Sequence, residues 1–198
     1  RRKMLAILGA EIVLTPKELR LQGAIDKANQ LLKEIPGAVM PWQFGNPANP
    51  AIHASTTAEE IWNDTGGAVD IVVSGIGTGG TISGTGRYLK EQNPKIRIVG
   101  ADPYGSIFKT YKESGRVPES TPYLVEGIGQ SLPVGNADMS VIDEVINVTD
   151  RDSFDYARLL GRREGIFCGG STGTNFWAAI KVAKELDESG LVVFIVCD

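Results

Sequence analysis

Two glycine-rich segments hold the residues best suited to chemistry. The first, residues 75–81, follows an apolar stretch rich in β-branched residues, 69–73. Glycines let a backbone adopt positive φ and approach a ligand closely, while free N–H groups and the dipole at a helix start favour an anion. A strand, a glycine turn and a helix in this order therefore predict an anion cradle for a phosphorylated cofactor.

The residues of this segment leave the identity of the cofactor open. Gly75, Gly77 and Gly80 have the spacing of a dinucleotide site, and Asp102 follows about twenty residues later, as ribose recognition requires. A nucleoside triphosphate loop fits less well, because Thr81 stands where the phosphate-binding lysine is expected. A tightly packed turn that binds nothing is the purely structural alternative.

The second glycine-rich segment, residues 169–174, again lies between a predicted strand and a helix start. Ligands of open α/β sheets bind beyond the carboxyl ends of the strands. A site in which one cofactor contacts two such turns is no longer a plain dinucleotide-binding site. The alternative is that Ser171 or Thr172 only caps the helix, which is the common role of such residues at that position.

Alternating strand and helix patterns position both turns. Helices are predicted at residues 2–8, 21–35, 52–62, 82–91, 150–164 and 174–186, and strands at 11–14, 69–73, 96–101, 144–148, 166–168 and 191–196. Residues 46–50 predict a rigid turn, and 102–137 a long loop that covers a site. Apolar strands in this alternation predict an open, mostly parallel twisted sheet with helices on both faces, an α/β fold.

The composition narrows the classes of molecule that the protein is expected to bind. The 198-residue chain has a net charge of −4 with scattered charges, which gives no footprint for nucleic acid or an anionic membrane and favours small metabolites. No apolar run approaches the roughly 20 residues that span a bilayer, so we expect a cytoplasmic protein. The two cysteines, Cys168 and Cys197, argue against a disulfide framework or a structural metal site, and we expect both to be reduced and partly buried.

Five motifs in a fixed order carry a family resemblance. They are residues 9–11 (GAE), 43–50 (QFGNPANP), 77–81 (GTGGT), 126–129 (EGIG) and 169–171 (GGS). With them the chain resembles the pyridoxal-phosphate enzymes of the cysteine synthase and cystathionine β-synthase family, of fold type II and tryptophan synthase β-like architecture. The resemblance covers nearly the whole chain. It implies that residues 1–44 are the remainder of a smaller N-terminal domain and 45–198 a larger cofactor-binding domain.

The resemblance also implies roles for individual residues. By this resemblance, the cofactor phosphate is bound by Gly77, Thr78, Gly79, Gly80 and Thr81. Ser171 bonds to the pyridine nitrogen, and Gln43 and Gly127 contact the substrate or the side of the cofactor ring. A neutral hydroxyl does not stabilise a protonated pyridinium, so the ring becomes a weaker electron sink that suits elimination across Cα–Cβ. The family assigns no role to the lone His53, which we expect to pack or to cap a helix.

Two of the family's motifs have no counterpart here. One is the serine-x-lysine-aspartate-arginine type motif whose lysine binds the cofactor covalently, and the other is the serine-glycine-asparagine-threonine loop for the substrate carboxylate. We therefore expect a chain that starts partway into the smaller domain, contains no catalytic residue of its own and lacks covalent catalysis by itself.

The activity that the resemblance implies is β-replacement, in which an amino acid loses a leaving group at Cβ and a thiol or sulfide adds. Residues 102–106, 125–129 and 168–171 favour cystathionine β-synthase, which joins serine or an activated serine to homocysteine. Gln130, with the segments 22–25 and 46–50, favours cysteine synthase, which uses O-acetylserine and sulfide. The family also implies a homodimer. Outside enzymes, the alternative is a dinucleotide-binding regulatory module.

Overall fold

The computed structural model describes residues 2–197, which form two compact units. The first unit ends at Trp42. Its elements are α1 (Arg2–Ile7), a 3-10 turn (Lys17–Leu19) and α2 (Arg20–Glu34). Both predicted helices are confirmed, but residues 11–14 form no strand, because no strand of the described chain pairs with them. Val13 and Leu14 are instead exposed.

The second unit begins at Gln43 and contains the sheet. Its strands are β1 (Ile71–Gly75), β2 (Arg97–Pro103), β3 (Glu144–Val148) and β4 (Val192–Phe194). Its helices are α3 (Ala48–Ser55), α4 (Thr57–Asp64), α5 (Gly80–Gln92), α6 (Phe108–Ser114), α7 (Asp150–Glu164) and α8 (Gly170–Ala183). The strands pair in parallel in the order β3-β2-β1-β4, which confirms the predicted open α/β sheet.

The sheet buries a different apolar cluster on each face, as the alternation of side chains along a strand requires. Val72 of β1 packs with Leu89 of α5, while its neighbour Val73 packs with Val182 of α8. Each fully buried side chain of this size stabilises the fold by about 1.5 to 3 kcal/mol relative to an exposed one. The helices α5 and α8 are thereby fixed on opposite faces, and α5 begins beyond the carboxyl end of β1.

Four sequence predictions for this unit need correction. Residues 166–168 form no strand, and Phe167 is 98% exposed, because nothing in the described chain pairs with this segment. The long loop predicted at 102–137 contains α6, a seven-residue helix too short to show an apolar period. The rigid turn at 46–50 leads into α3 at Ala48, and the expected helix over 52–62 divides at Thr56 into α3 and α4.

The two cysteines form no disulfide within residues 2–197. Cys168 is half-buried as expected, whereas Cys197 is exposed, so the expectation of partial burial is wrong for Cys197. Among residues 2–197, no helix combines the length and the apolar character needed to cross a membrane.

Candidate functional site

The first glycine turn joins β1 to α5 and leaves no room for a side chain at two of its glycines. Gly79 has a φ of 86°, the left-handed region that favours glycine. A Cβ at Gly79 would lie 2.5 Å from the backbone nitrogen of Ala137, and one at Gly77 would lie 2.5 Å from the carbonyl oxygen of Gly127. Only glycine therefore fits at positions 77 and 79, where the backbone itself forms the surface of the turn.

Hydrogen-bond donors converge on this turn. α5 begins at Gly80, so the first N–H groups of a 13-residue helix lack intrahelical acceptors. Within residues 2–197, the N–H groups of Thr78, Gly79 and Thr81 donate no hydrogen bond. Together with the helix dipole, they attract an anion without a basic side chain.

The hydroxyl of Thr78 is held from outside the turn. Its Oγ1 accepts a hydrogen bond from Asn49 Nδ2 at 3.0 Å and one from the Gly80 N–H at 3.3 Å. Asn49 Nδ2 also donates to the carbonyl oxygen of Gln43 at 2.8 Å. Because both contacts are accepted by the Thr78 oxygen, its hydroxyl proton is available to a ligand. The Gln43 side chain is exposed beside this contact.

The hydroxyl of Thr81 contacts His53. Thr81 Oγ1 lies 3.1 Å from His53 Nε2, and His53 Nδ1 lies 3.0 Å from Thr57 Oγ1. Burial lowers the pKa of the half-buried His53 below its ordinary value, which keeps the ring neutral at pH 7. The sequence predicts a packed or capping histidine, and the ring reaches the first glycine turn in addition.

Another segment, residues 127–130, covers the first glycine turn. The Gly129 N–H donates to the Ile76 carbonyl oxygen at 2.7 Å, and Gln130 Nε2 donates to the Gly77 carbonyl oxygen at 3.2 Å. Gly127 has a φ of 86° and is exposed. The structure thus brings Gly127 against Gly77, as the sequence-based assignment to one site requires.

The second glycine turn, residues 169–174, holds the N-cap and the first five residues of α8, which begins earlier than the predicted residue 174, and it uses its hydroxyls differently. Thr172 Oγ1 accepts from the Cys197 N–H at 2.9 Å, and Thr174 Oγ1 donates to Ser153 Oγ at 2.7 Å. The N-cap of α8 is Gly169, so neither Ser171 nor Thr172 caps the helix. The buried Ser171 hydroxyl has no hydrogen-bond partner in the described part of the chain, and it is available to a ligand.

The start of α8 lies beside the end of β1. Asn175, four residues after Ser171 and on the same helix face, places its Oδ1 3.1 Å from where a Cβ of Gly75 would lie. Asn175 Nδ2 donates to the Ile195 carbonyl oxygen at 2.8 Å, which fixes the helix to the chain after β4. Both glycine turns therefore open at the same end of the sheet.

Asp102 is not placed to bind a ribose. Its side chain is fully buried at the end of β2, beside Asn147 of β3. Burial raises the pKa of Asp102 to about 7, and this outweighs the opposing influence of Ser106 and of the backbone N–H groups of Lys109 and Phe108. Neither carboxyl oxygen has a partner at full hydrogen-bond geometry among the described residues. The dinucleotide interpretation therefore loses its acidic residue.

Two cavities of about 400 and 430 Å³ flank the turns. The first is lined by Phe154, Phe167 and Gly170, and the second by Pro47 and Asn136 with residues of the 133–139 segment. Neither contains the Thr78 or Thr81 hydroxyl. The candidate site is defined by its converging donors. No cluster of three or more metal-ligating side chains occurs among residues 2–197.

The residues present fit the phosphate of a pyridoxal-phosphate cofactor. A phosphate accepts hydrogen bonds, and the first turn offers N–H groups, two threonine hydroxyls and a helix dipole, with no basic side chain among residues 75–81. The single hydroxyl of Ser171 fits a neutral ring nitrogen, which needs one donor.

Three residues of this site were missed by sequence reasoning: Asn49, His53 as a contact of the turn, and Gln130 as a side-chain donor to it. A signal for two of them exists, because Asn49 and His53 stand four residues apart and so share one face of α3. Gly80 and Gly84 have the same spacing on α5, which lets the two helices approach closely. The Gln130 contact spans 53 residues and has no local signal.

The chain matches known proteins along nearly its whole length. A family model described as pyridoxal-phosphate dependent enzyme matches residues 1–198. A cystathionine β-synthase of Apis mellifera is 44% identical over 194 residues, covering 96% of this chain and 38% of the relative. A cysteine synthase of Buchnera aphidicola subsp. Acyrthosiphon pisum (strain APS) is 40% identical over 200 residues, covering 98% of this chain and 64% of the relative.

A solved structure shares the fold. It is the O-acetylserine dependent cystathionine β-synthase from Helicobacter pylori, with a TM-score of 0.90 and 37% identity over 98% of this chain and 61% of that one. The chain therefore spans between 38% and 64% of the length of these three proteins.

Proposed function

Since the chain belongs to the family of pyridoxal-phosphate dependent enzymes, we propose that the protein carrying it catalyses a β-replacement in sulfur amino-acid synthesis. The observation that supports this most is the first glycine turn, where unpaired N–H groups and two hydroxyls converge at the start of α5. Small amino acids and thiols or sulfide are the proposed substrates.

The residues of this chain have distinct tasks in the proposal. The turn from Gly77 to Thr81 binds the cofactor phosphate, and Ser171 donates one hydrogen bond to the ring nitrogen. Pyridoxal phosphate supplies the electron sink for charge at the substrate Cα. Because a neutral hydroxyl does not protonate the nitrogen, Ser171 keeps that sink weak and favours loss of a group at Cβ. Exposed Gln43 and Gly127 contact the substrate or the ring side.

Within this reaction type we propose cystathionine formation from serine or an activated serine and homocysteine. The segments 102–106, 125–129 and 168–171 support it by their resemblance to cystathionine β-synthases. Cysteine synthase, which joins O-acetylserine and sulfide, is the second candidate, favoured by Gln130 and by the segments 22–25 and 46–50.

A competition between nucleophiles tests the choice. The protein carrying this chain is assayed with serine and with O-acetylserine, each with homocysteine or sulfide, and products are identified by mass spectrometry. The proposal expects cystathionine from homocysteine. Turnover with sulfide while homocysteine is inert would make the protein a cysteine synthase, and spectral binding of NAD without binding of pyridoxal phosphate would favour a dinucleotide-binding module.

We further propose that no lysine of this chain binds the cofactor covalently. In the second unit, Lys90 contacts Asp143 and Lys112 donates to the Met139 carbonyl oxygen, so the ammonium groups of both are engaged by other parts of the protein. Borohydride treatment of the 198-residue chain with pyridoxal phosphate should leave no specific reduced adduct on a lysine. A single, stoichiometric lysine adduct found by peptide mapping would refute this.

The domain assignment is a proposal too. Residues 1–44 would be the rest of a smaller domain and residues 45–198 the larger cofactor-binding domain, and the compact unit that begins at Gln43 supports this division. We also propose a homodimer from the family resemblance. Sedimentation equilibrium of the protein carrying this chain should give twice the chain mass, and a monomer at all concentrations would contradict it.

A further inference from the structure

His53 of α3 contacts a threonine hydroxyl through each of its ring nitrogens, one in the first glycine turn and one in α4. Nε2 lies 3.1 Å from Thr81 Oγ1, and Nδ1 lies 3.0 Å from Thr57 Oγ1 at the start of α4. Thr81 and Thr57 have no other side-chain hydrogen bond within the described residues. The three side chains therefore form one short hydrogen-bonded row that ends at the proposed phosphate site.

A neutral imidazole has one donor and one acceptor nitrogen, so this row has two possible directions. With the proton on Nδ1, His53 donates to Thr57, and Nε2 accepts the hydroxyl proton of Thr81. That proton is then used within the protein. With the proton on Nε2, His53 donates to Thr81 Oγ1, Thr57 donates to Nδ1, and the hydroxyl proton of Thr81 is left for a ligand.

The neighbouring contact of α3, between Asn49 and Thr78, already runs from the helix side chain to the threonine oxygen. Asn49, one helical turn before His53, donates from its Nδ2 to Thr78 Oγ1 at 3.0 Å and so leaves the Thr78 proton for a ligand. Asn49 and His53 lie on one face of α3, against the start of α5. A Cβ at Gly84 of α5 would lie 3.0 Å from the Cβ of His53, so this glycine lets the ring approach the turn.

We propose that His53 is a positioning residue for the cofactor phosphate. When phosphate is bound, His53 is protonated on Nε2 and donates a hydrogen bond to Thr81 Oγ1, so that the Thr81 hydroxyl proton points toward the ligand. A phosphate near neutral pH carries mainly acceptor oxygens and needs donors. Its binding therefore selects the Nε2-protonated form. The inference rests on the proposed function, and it adds a residue to which the family resemblance assigns no role.

Nitrogen NMR can read this directly, because His53 is the one histidine in the sequence. The chain is labelled with ¹⁵N-histidine and titrated near pH 7 with inorganic phosphate and then with pyridoxal phosphate. The ring nitrogens should report a neutral ring whose Nε2-protonated fraction increases to near completion as the site fills. A ring that stays protonated on Nδ1 at saturation would overturn the proposal.

Variants separate positioning from packing. His53→Leu removes the donor and should weaken binding of pyridoxal phosphate by about three- to tenfold, the range of one hydrogen bond. Binding of pyridoxal, which lacks the phosphate, should not change. His53→Gln keeps an amide donor and should restore much of the difference. Ser55→Ala is the matched control on α3, since Ser55 is exposed and bonds only to carbonyl oxygens of its own helix.

The outcomes distinguish this inference from the function on which it rests. Equal losses for pyridoxal and pyridoxal phosphate in His53→Leu, or no loss for either, would refute positioning while leaving phosphate binding intact. If the unaltered chain binds neither phosphate nor pyridoxal phosphate, the proposed function fails, and this inference fails with it. Should His53→Leu not fold, the NMR titration of the unaltered chain decides alone.

Discussion

Both glycine turns lie at the carboxyl end of the sheet, beside the start of a helix. Their hydroxyl groups differ in whether they bond within the protein or stay available to a ligand. In the first turn, side chains of α3 contact both threonine hydroxyls: Asn49 donates to Thr78 Oγ1, and His53 Nε2 lies 3.1 Å from Thr81 Oγ1. In the second, Thr172 and Thr174 bond to the surrounding protein, and the Ser171 hydroxyl has no partner among residues 2–197. The first turn thus presents several donors to a ligand, and the second presents one.

This difference indicates where affinity and chemistry reside. Several converging donors with a helix dipole suit a charged phosphate, which each of them stabilises. A single hydroxyl contributes little affinity but fixes the electronic state of the atom it contacts. We therefore expect substitutions in the first turn to change cofactor retention, and substitutions at Ser171 to change the reaction.

The largest expected effect concerns Asp102. Its carboxyl group lies near Ser106, which contacts the 127–130 segment that covers the first glycine turn. Ser106 Oγ accepts from the Gln130 N–H, and Gln130 in turn donates to Gly77. Because burial raises the pKa of Asp102 from 3.8 to about 7, the folded state binds the proton more tightly than the unfolded state. The free energy of unfolding should fall as pH rises from below 4 through 7, by on the order of 4 kcal/mol.

Asp102→Asn cannot titrate, so its unfolding free energy should lack this decline in urea titrations across that pH range. Asp138→Asn is the control. Hydrogen bonds from Ser140 lower the pKa of the partly exposed Asp138, so its contribution is lost only as pH falls below the ordinary range of a carboxyl. Parallel pH profiles for the unaltered chain and Asp102→Asn would show that Asp102 does not titrate near 7.

The second prediction contrasts one glycine from each turn. A Cβ at Gly173 would meet the Ser153 carbonyl oxygen and lie 2.6 Å from the Ala157 nitrogen, so α7 and α8 would have to separate. Gly173→Ala should lower the free energy of unfolding by about 3 kcal/mol. At Gly80 the obstacle is the movable Asn49 amide, so Gly80→Ala should lose cofactor affinity with a smaller loss of stability. Thermal unfolding and equilibrium dialysis measure the two effects, and identical behaviour of the variants would remove the contrast.

The third prediction concerns the hydroxyls of the first turn. Thr78→Ala or Thr81→Ala should each weaken binding of pyridoxal phosphate by about 1.5 to 3 kcal/mol, the value of a hydrogen bond to a charged group. Thr174→Ala is the matched change in the second turn, and it should lower stability while leaving affinity near that of the unaltered chain. Isothermal titration gives the affinities. Unchanged affinity in both first-turn variants would make this turn purely structural.

The smallest expected change in binding is at Ser171. Ser171→Ala removes one hydrogen bond to a neutral atom and should weaken cofactor binding by about 1 kcal/mol. Ser171→Asp should retain the cofactor but slow β-replacement, because a carboxylate raises the pKa of the pyridine nitrogen and strengthens the electron sink. Steady-state kinetics of the protein carrying this chain test it. Equal turnover in Ser171→Asp and the unaltered protein would remove Ser171 from the ring nitrogen.

The parts of the fold that the sequence predicts correctly are those with a strong local pattern. β3 at Glu144–Val148 and α7, whose N-cap Thr149 accepts from the Asp152 N–H, follow from apolar runs and capping residues. The strands expected at 11–14 and 166–168 have the same local pattern, but a strand also needs a neighbour, which a local pattern does not supply. The short α6 has too few turns to show a period.

The candidate site divides in the same way. Glycine turns and Ser171 are visible because turn chemistry is local, whereas the contacts of Asn49, His53 and Gln130 depend on how distant elements pack. The burial of Asp102 likewise arises from packing between β2 and β3 and their loops, and its spacing from the glycines made it resemble a ribose ligand. Spacing places a residue along the chain, and only packing decides which side it faces.

A crystal structure of the chain grown with pyridoxal phosphate tests the central claim most directly. We predict that the phosphate oxygens lie about 3 Å from the N–H groups of residues 77–81 and from the hydroxyls of Thr78 and Thr81, with the ring nitrogen beside Ser171. Cofactor bound with its phosphate away from the first turn, or no binding at saturating concentration, would contradict the account.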